Sequence, residues 1–177
     1  MSLWHEMLDH PFSKNFSCLQ LWIPPSNTSP NQHVVVVALN RVHKRNAISA
    51  VMWREIGEVF ALLGQTGDDC RAIILTGADS TAFTAGIDIS DPGIMTVGSE
   101  GDVARRGLTF LPKVRDMQRC FTAVEECPVP VIAVIQGSCI GAGVDLACAC
   151  DIRICSSKAQ FSVREVKIGL EIGRAHV

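Results

Sequence analysis

Two carboxylates in the C-terminal third of the chain, Asp145 and Glu165, have the surroundings that proton transfer at carbon requires. Asp145 closes the run Gly141-Ala-Gly-Val-Asp145, whose small residues can turn the chain into a helix. A helix that opens this way presents unpaired backbone N–H groups, and such groups stabilise negative charge on a carbonyl oxygen. Glu165 ends the run Phe161-Ser-Val-Arg-Glu165, after a short apolar strand. Between the two lies Cys150-Asp-Ile-Arg153. Acidic side chains beside an oxyanion site can move protons at carbons next to a polarised carbonyl. The pattern points to chemistry on an acyl substrate.

Three more segments carry unusual residue types. Leu39-Asn-Arg-Val-His-Lys-Arg-Asn-Ala47 is a polar strand-to-helix loop, with Asn46 as a candidate N-cap. Its basic cluster, Arg41, His43, Lys44 and Arg45, is either a solvated loop or a phosphate-holding turn. Phe83-Thr-Ala-Gly-Ile-Asp-Ile89 has small residues at Ala85 and Gly86 that would let backbone approach a ligand, with the N–H of Ile87 aimed at a carbonyl oxygen. A plain tight turn explains it equally well. Gly137-Ser-Cys-Ile-Gly-Ala-Gly143 follows a strand, but its spacing does not fit the dinucleotide fingerprint. No Gly-Lys-Ser/Thr occurs, which excludes a Walker loop.

The elements that must position these residues alternate between strand and helix, an α/β pattern. Strands are predicted at 17–23, 33–39, 71–76, 131–135, 151–155 and 160–163. Val34-Val-Val-Val37 within the second is β-branched throughout, as in a strand buried on both faces. A helix is predicted over 47–63, because Ile48, Met52, Ile56, Val59 and Leu63 recur at helical spacing. A second, over 103–126, has Leu111, Val114, Met117, Phe121 and Val124 as its buried stripe and is stopped by Pro128 and Pro130. A short third helix is predicted over 141–148. Residues 90–102, rich in Gly, Ser and Asp, read as a mobile loop.

The 177 residues, 47% hydrophobic and with a net charge of −2, suffice for about one domain. Basic residues are scattered, with no stripe that would suit nucleic acid. No apolar run is long enough to span a bilayer, so no membrane partner is expected. Eight cysteines lie at positions 18, 70, 120, 127, 139, 148, 150 and 155, several in core-like runs and none in a Cys-x-x-Cys pair. Reduced thiols in an intracellular protein, with no metal site, are expected.

Together these motifs resemble the crotonase, or enoyl-CoA hydratase/isomerase, superfamily. The matching pieces are Leu39-Asn-Arg through Asn-Ala47, Phe83-Thr-Ala-Gly-Ile-Asp-Ile89, Pro130-Val-Ile-Ala-Val-Ile-Gln-Gly137, Gly141-Ala-Gly-Val-Asp145 and Cys150-Asp-Ile-Arg153. Within the superfamily the chain is most similar to the dienoyl-CoA isomerases, on Trp53-Arg-Glu55, Asp69-Cys-Arg-Ala72, Asp102-Val-Ala-Arg105 and above all Asp145, where hydratases carry Glu. The resemblance implies a ββα spiral core over 33–170, preceded by an arm and first strand over 1–32. It implies an isomerase of fatty-acid β-oxidation that shifts the double bonds of a 3,5-dienoyl-CoA to the 2,4 positions. The alternatives are an enoyl-CoA hydratase, a Δ3-Δ2-enoyl-CoA isomerase or a non-catalytic acyl-CoA binder. By the resemblance, Ile87 and Ala142 supply the oxyanion N–H groups and Glu165 carries the proton, with Asp145 in the same pocket. Lys44, Arg45, Ala47, Ala85, Gly86, Asp88, Ile89 and Gly141 line the acyl-CoA site. CoA is part of the substrate, no separate cofactor is expected, and the implied assembly is a homotrimer or hexamer in peroxisome or mitochondrion. The family's second proton carrier, an Asp, falls at Gly173 here.

The tail Glu171–Val177 has no apolar period and no cap. The codons ATC GGA AGA GCA CAC GTC, which match a common sequencing adapter, would encode its last six residues. The tail is therefore expected to be non-native read-through, with impaired activity of the chain as given. Genomic sequence encoding these residues in the native gene would refute this.

Overall fold

The computed structural model describes residues 16–24, 33–65, 70–95 and 102–168. The predicted tail and the position of Gly173 lie outside them, as do most of the arm and residues 96–101 of the predicted loop.

Two sheets share the chain in alternation. Strands β1 (Leu19–Trp22), β2 (His33–Leu39), β3 (Cys70–Thr76), β5 (Val131–Ile135) and β7 (Ile152–Cys155) form one sheet, in the order β1-β2-β3-β5-β7. Strands β4 (Ala82–Thr84), β6 (Ser138–Ile140) and β8 (Gln160–Ser162) form the other. Only β1 is antiparallel to its neighbour; β2, β3, β5 and β7 run parallel, as do β4, β6 and β8. Each pass of the chain thus lays one strand in each sheet: β3 then β4, β5 then β6, β7 then β8. Parallel neighbours need crossovers. Helix α1 (Ala50–Leu63) links β2 to β3, α3 (Val103–Glu125) precedes β5, and α4 (Ala142–Cys148) precedes β7. The result is the ββα spiral expected from the resemblance.

The core follows the periodicities read from the sequence. Ile48, Met52, Ile56, Val59 and Leu63 are all fully buried. In β2, Val35 to Leu39 are buried on both faces, as a β-branched run between parallel neighbours should be. Trp53 of α1 stacks on Phe121 of α3, ring centroids 4.7 Å apart. Its indole Nε1–H donates to the carbonyl of Met117 at 2.7 Å.

Several boundaries differ from expectation, each for a physical reason. Helix α1 begins at Ala50, not 47, because Ser49 is the N-cap, its Oγ accepting from the N–H of Met52 at 3.2 Å. Asn46 is not a cap: it has φ 55° and its side chain is buried elsewhere. The α3 stripe is buried only at Phe121 and Val124, while Leu111 is exposed. Helix α3 meets α1 at Met117, Cys120 and Phe121, in its C-terminal half. The short strands β4 and β6 overlap segments read as turns, 83–89 and 137–143. The predicted loop at 90–102 contains a one-turn helix, α2 (Pro92–Met95).

One carboxylate ties the first strand to this core. Glu55 of α1 is buried and accepts from the N–H of Ser17 at 2.8 Å, the hydroxyl of Ser17 at 2.7 Å and the N–H of Cys18 at 2.8 Å. Glu55→Ala leaves those donors without an acceptor and should cost on the order of 2–4 kcal/mol. Denaturant titration reads the loss. Hydrogen exchange should quicken first at residues 17–22.

Candidate active site

Loops 40–49 and 83–91 are stitched into one unit by backbone bonds. Ile48 forms a parallel bridge with Ile87: its N–H donates to Gly86 at 2.7 Å, and its carbonyl accepts from Asp88 at 3.0 Å. The N–H of Ala85 donates to the carbonyl of Arg45 at 3.0 Å. Side chains reinforce the seam. The Arg41 guanidinium donates to Asp88 Oδ2 at 3.0 Å from both terminal nitrogens, and to the carbonyl of Ala47 at 2.5 Å. Asn46 is fully buried. Its Oδ1 accepts from the N–H of Arg41 at 2.9 Å, and its Nδ2 donates to the carbonyls of Gly77 at 2.7 Å, Phe83 at 3.2 Å and Ala82 at 3.3 Å. Lys44 and Arg45 stand exposed on the rim of this seam, after a 3-10 turn at Val42–Lys44.

Backbone N–H groups along 83–91 can be followed one by one. Phe83 donates to Gln136, Ala85 to Arg45, Gly86 to the Thr84 hydroxyl, Asp88 to Ile48, and Ser90 to the Asp88 carboxylate. The N–H of Ile87 has no acceptor among the described residues. Because its bridge to Ile48 is parallel, the bonds run to residues 86 and 88, and the groups of Ile87 itself face the other way.

On that side lies the N-terminus of α4. Gly86, at φ 87°, passes so close that a Cβ there would meet the carbonyl oxygen of Ile140 at 2.7 Å. Gly141, the N-cap of α4, has φ 53° and ψ −123°, a conformation that only glycine adopts readily. Its N–H donates to Ser162 and its carbonyl accepts from Val144 at 2.7 Å. The N–H of Ala142, the first residue of the helix, has no acceptor among the described residues, as expected at an uncapped N-terminus.

Glu165 meets the same point. A Cβ on Gly141 would lie 2.9 Å from its Oε1. Its Oε2 is buried without a hydrogen-bond partner among the described residues. Buried carboxylate oxygens are rarely left so. Asp145, one helical turn beyond Gly141, has an exposed side chain, as does Ile89. Ala47 and Ala85 are half-buried in the seam, and Asp88 is buried beneath it.

The segment Cys150-Asp-Ile-Arg153 has a structural part. Asp151 Oδ2 accepts from the N–H of Val131 at 2.7 Å, tying β5 to the turn before β7. Arg153 donates to the carbonyls of Cys150 at 2.5 Å and Ala147 at 3.3 Å, at the C-terminus of α4. Burial pushes the thiols of Cys139 and Cys150 up to about 12, so neither is a nucleophile at neutral pH. All eight cysteines are free thiols. Among the described residues no cluster of His, Cys, Asp or Glu could hold a metal ion, and no helix is long and apolar enough to cross a membrane.

Residues 29–174 match the family described as enoyl-CoA hydratase/isomerase. The chain belongs to this family. It is 42% identical over 166 residues to the mitochondrial Delta(3,5)-Delta(2,4)-dienoyl-CoA isomerase of Mus musculus, covering 93% of this chain and 47% of that protein. It is 42% identical over 134 residues to the peroxisomal enzyme of the same name from Arabidopsis thaliana, covering 75% and 48%. A solved structure from Thermobifida fusca YX, described as an enoyl-CoA hydratase in complex with acetoacetyl-CoA, superposes with a TM-score of 0.67 at 28% identity. It covers 87% of this chain and 56% of that one. The chain thus spans about half the length of the curated relatives it matches.

The motifs of this family member do not single out Thr84, and they single out Asn46, Arg41 and Asp88, but not for the bonds that hold the seam. The signal available was a run of polar side chains in an otherwise apolar strand-to-loop passage. The Ser90 hydroxyl that donates to Asp88, with Arg41 beside it, holds the Asp88 carboxyl below the usual carboxylate range. A depressed folded value means that the native state binds fewer protons than the unfolded chain. The stabilisation is therefore full above about pH 4 and is lost as pH falls through the folded value. Asp88→Asn should cost on the order of 2 kcal/mol at pH 7. The gap to the unsubstituted chain should narrow in thermal melts as pH falls below about 4.

Proposed function

We propose that this chain carries the thioester-holding half of a dienoyl-CoA isomerase site. The observation that supports this most directly is the Glu165 carboxylate set against Gly141, with one buried, unpartnered oxygen, at the start of the helix whose first N–H is unbonded. In this reading the thioester oxygen takes the N–H groups of Ile87 and Ala142. Enolate charge builds on that oxygen as the substrate loses a proton, and each such donor contributes about 3–4 kcal/mol. Conversion of a 3,5-diene to a 2,4-diene removes one proton from C2 and adds one at C6. Glu165 is the group placed to accept the C2 proton. Asp145 orients the diene, and Lys44 with Arg45 meets the CoA phosphates. The organelles named for the mouse and Arabidopsis relatives are the compartments proposed here, and a trimer or hexamer is the proposed assembly.

Gly173 stands where the resemblance puts the carrier for the C6 proton, so overall turnover of the chain as given is expected to be impaired. The first half-reaction needs only the donors and Glu165. The chain should therefore exchange the C2 deuterons of a 3,5-dienoyl-CoA with solvent. Glu165→Gln should slow that exchange by about 10²-fold or more, while the dissociation constant changes by less than about tenfold. Unaltered exchange in the Gln variant would remove Glu165 as the base. Formation of a 3-hydroxyacyl-CoA from a 2-enoyl-CoA would instead support the hydratase reading.

A further inference from the structure

Thr84 is fully buried at the end of β4, between the two backbone segments that carry the unbonded N–H groups. Its hydroxyl donates to the carbonyl of Asn46 at 2.6 Å and accepts from the N–H of Gly86 at 3.1 Å. A hydroxyl has one proton, so donation to Asn46 leaves a lone pair for Gly86. Its methyl group points the other way: a Cβ on Gly143 of α4 would lie 2.2 Å from Thr84 Cγ2. The branched side chain is stiff at χ1, so hydroxyl and methyl hold a fixed angle.

We propose that Thr84 is a positioning residue that sets the spacing between the N–H of Ile87 and the N–H of Ala142. The hydroxyl orients the Ala85–Gly86 peptide, immediately before the one that carries the Ile87 N–H, and the methyl spaces this segment from the first turn of α4. A ladder bond at Gly86 would draw this peptide into β4. A side-chain acceptor satisfies the Gly86 N–H and lets the chain turn at φ 87°, which aims the next N–H outward. The other end of the hydroxyl rests on Asn46, which three carbonyl contacts hold in place. This inference rests on the thioester reading above.

The test uses the 177-residue chain and 2,4-hexadienoyl-CoA, whose absorption moves to the red when donors polarise its thioester carbonyl. Thr84→Val keeps the spacer and deletes the hydroxyl. It should lose most of the red shift while its dissociation constant stays within about tenfold of the unsubstituted chain. Gly143→Ala drives a Cβ into the Thr84 methyl and should also lose the shift. The double variant Thr84→Ser with Gly143→Ala keeps the hydroxyl and removes the clashing methyl, so the shift should return. A merely structural Thr84 would lower the melting temperature of each variant and leave the spectrum of the folded, ligand-bound protein unchanged. That result, or failure of the double variant to restore the shift, overturns the proposal. An unsubstituted chain that binds the ligand without a red shift, or does not bind it, refutes the thioester reading itself and the inference with it.

Discussion

Every buried N–H group must find an acceptor or be held open by its surroundings, and at the Ile48 bridge this constraint organises the whole site. Ile48 bonds to Gly86 and Asp88, which leaves the residue between them facing away. Around that bridge the structure spends its buried polar groups: Arg41 on Asp88, Asn46 on three carbonyls, Asp91 on the N–H of Ala50. None of these groups needs to touch a substrate. They keep the peptide at Ile87 from relaxing into a ladder, while the short α4 presents its first N–H from the opposite wall. The chemistry proposed for the site is therefore a property of backbone placement, with Glu165 as the side chain set directly against it.

Much of the fold was legible because burial imposes a period. Helix α1 shows its stripe at 52, 56, 59 and 63, with Ile48 buried just before its cap, and β5 lies over 131–135 as read, bounded by Pro130 and Gln136. What escaped the reading was set by partners distant in sequence. Strand β4 exists because β6 pairs with it at Ser138 and Cys139. Asn46 looked like a helix cap because Asn often caps. Its bonds instead run more than thirty residues away, to Gly77, Ala82 and Phe83. Glu55 stood out only within the Trp53-Arg-Glu55 match, yet its carboxylate accepts from Ser17 and Cys18, more than thirty residues away.

The candidate site divides along the same line. Gly86 and Gly141 stood out because few residues tolerate their backbone angles and close approaches. Ile87 and Ala142 became the two donor candidates through the family resemblance, since a backbone donor leaves no mark in its own side chain. Thr84 carried no such signal. Its contacts, at Asn46 and Gly143, lie in opposite directions along the chain.

The spiral has a further property. Strands join each sheet in order of appearance, and each pairs only with the pass before it and the pass after. Order is thus passed along an axis, as in a stacked repeat where stability is a sum over adjoining layers. All four residues of β7, at the edge of the larger sheet, are exposed. Among the described residues β2, β3 and β5 are each paired on both sides, whereas β7 and β8 are each paired on one. Glu165 follows β8 at one edge of the smaller sheet, while Ile87 follows β4 at the other edge and is bridged to Ile48. The two halves of the site thus hang from opposite edges of one three-stranded sheet, and the Ile87 half is further tied to the larger core by its bridge to Ile48.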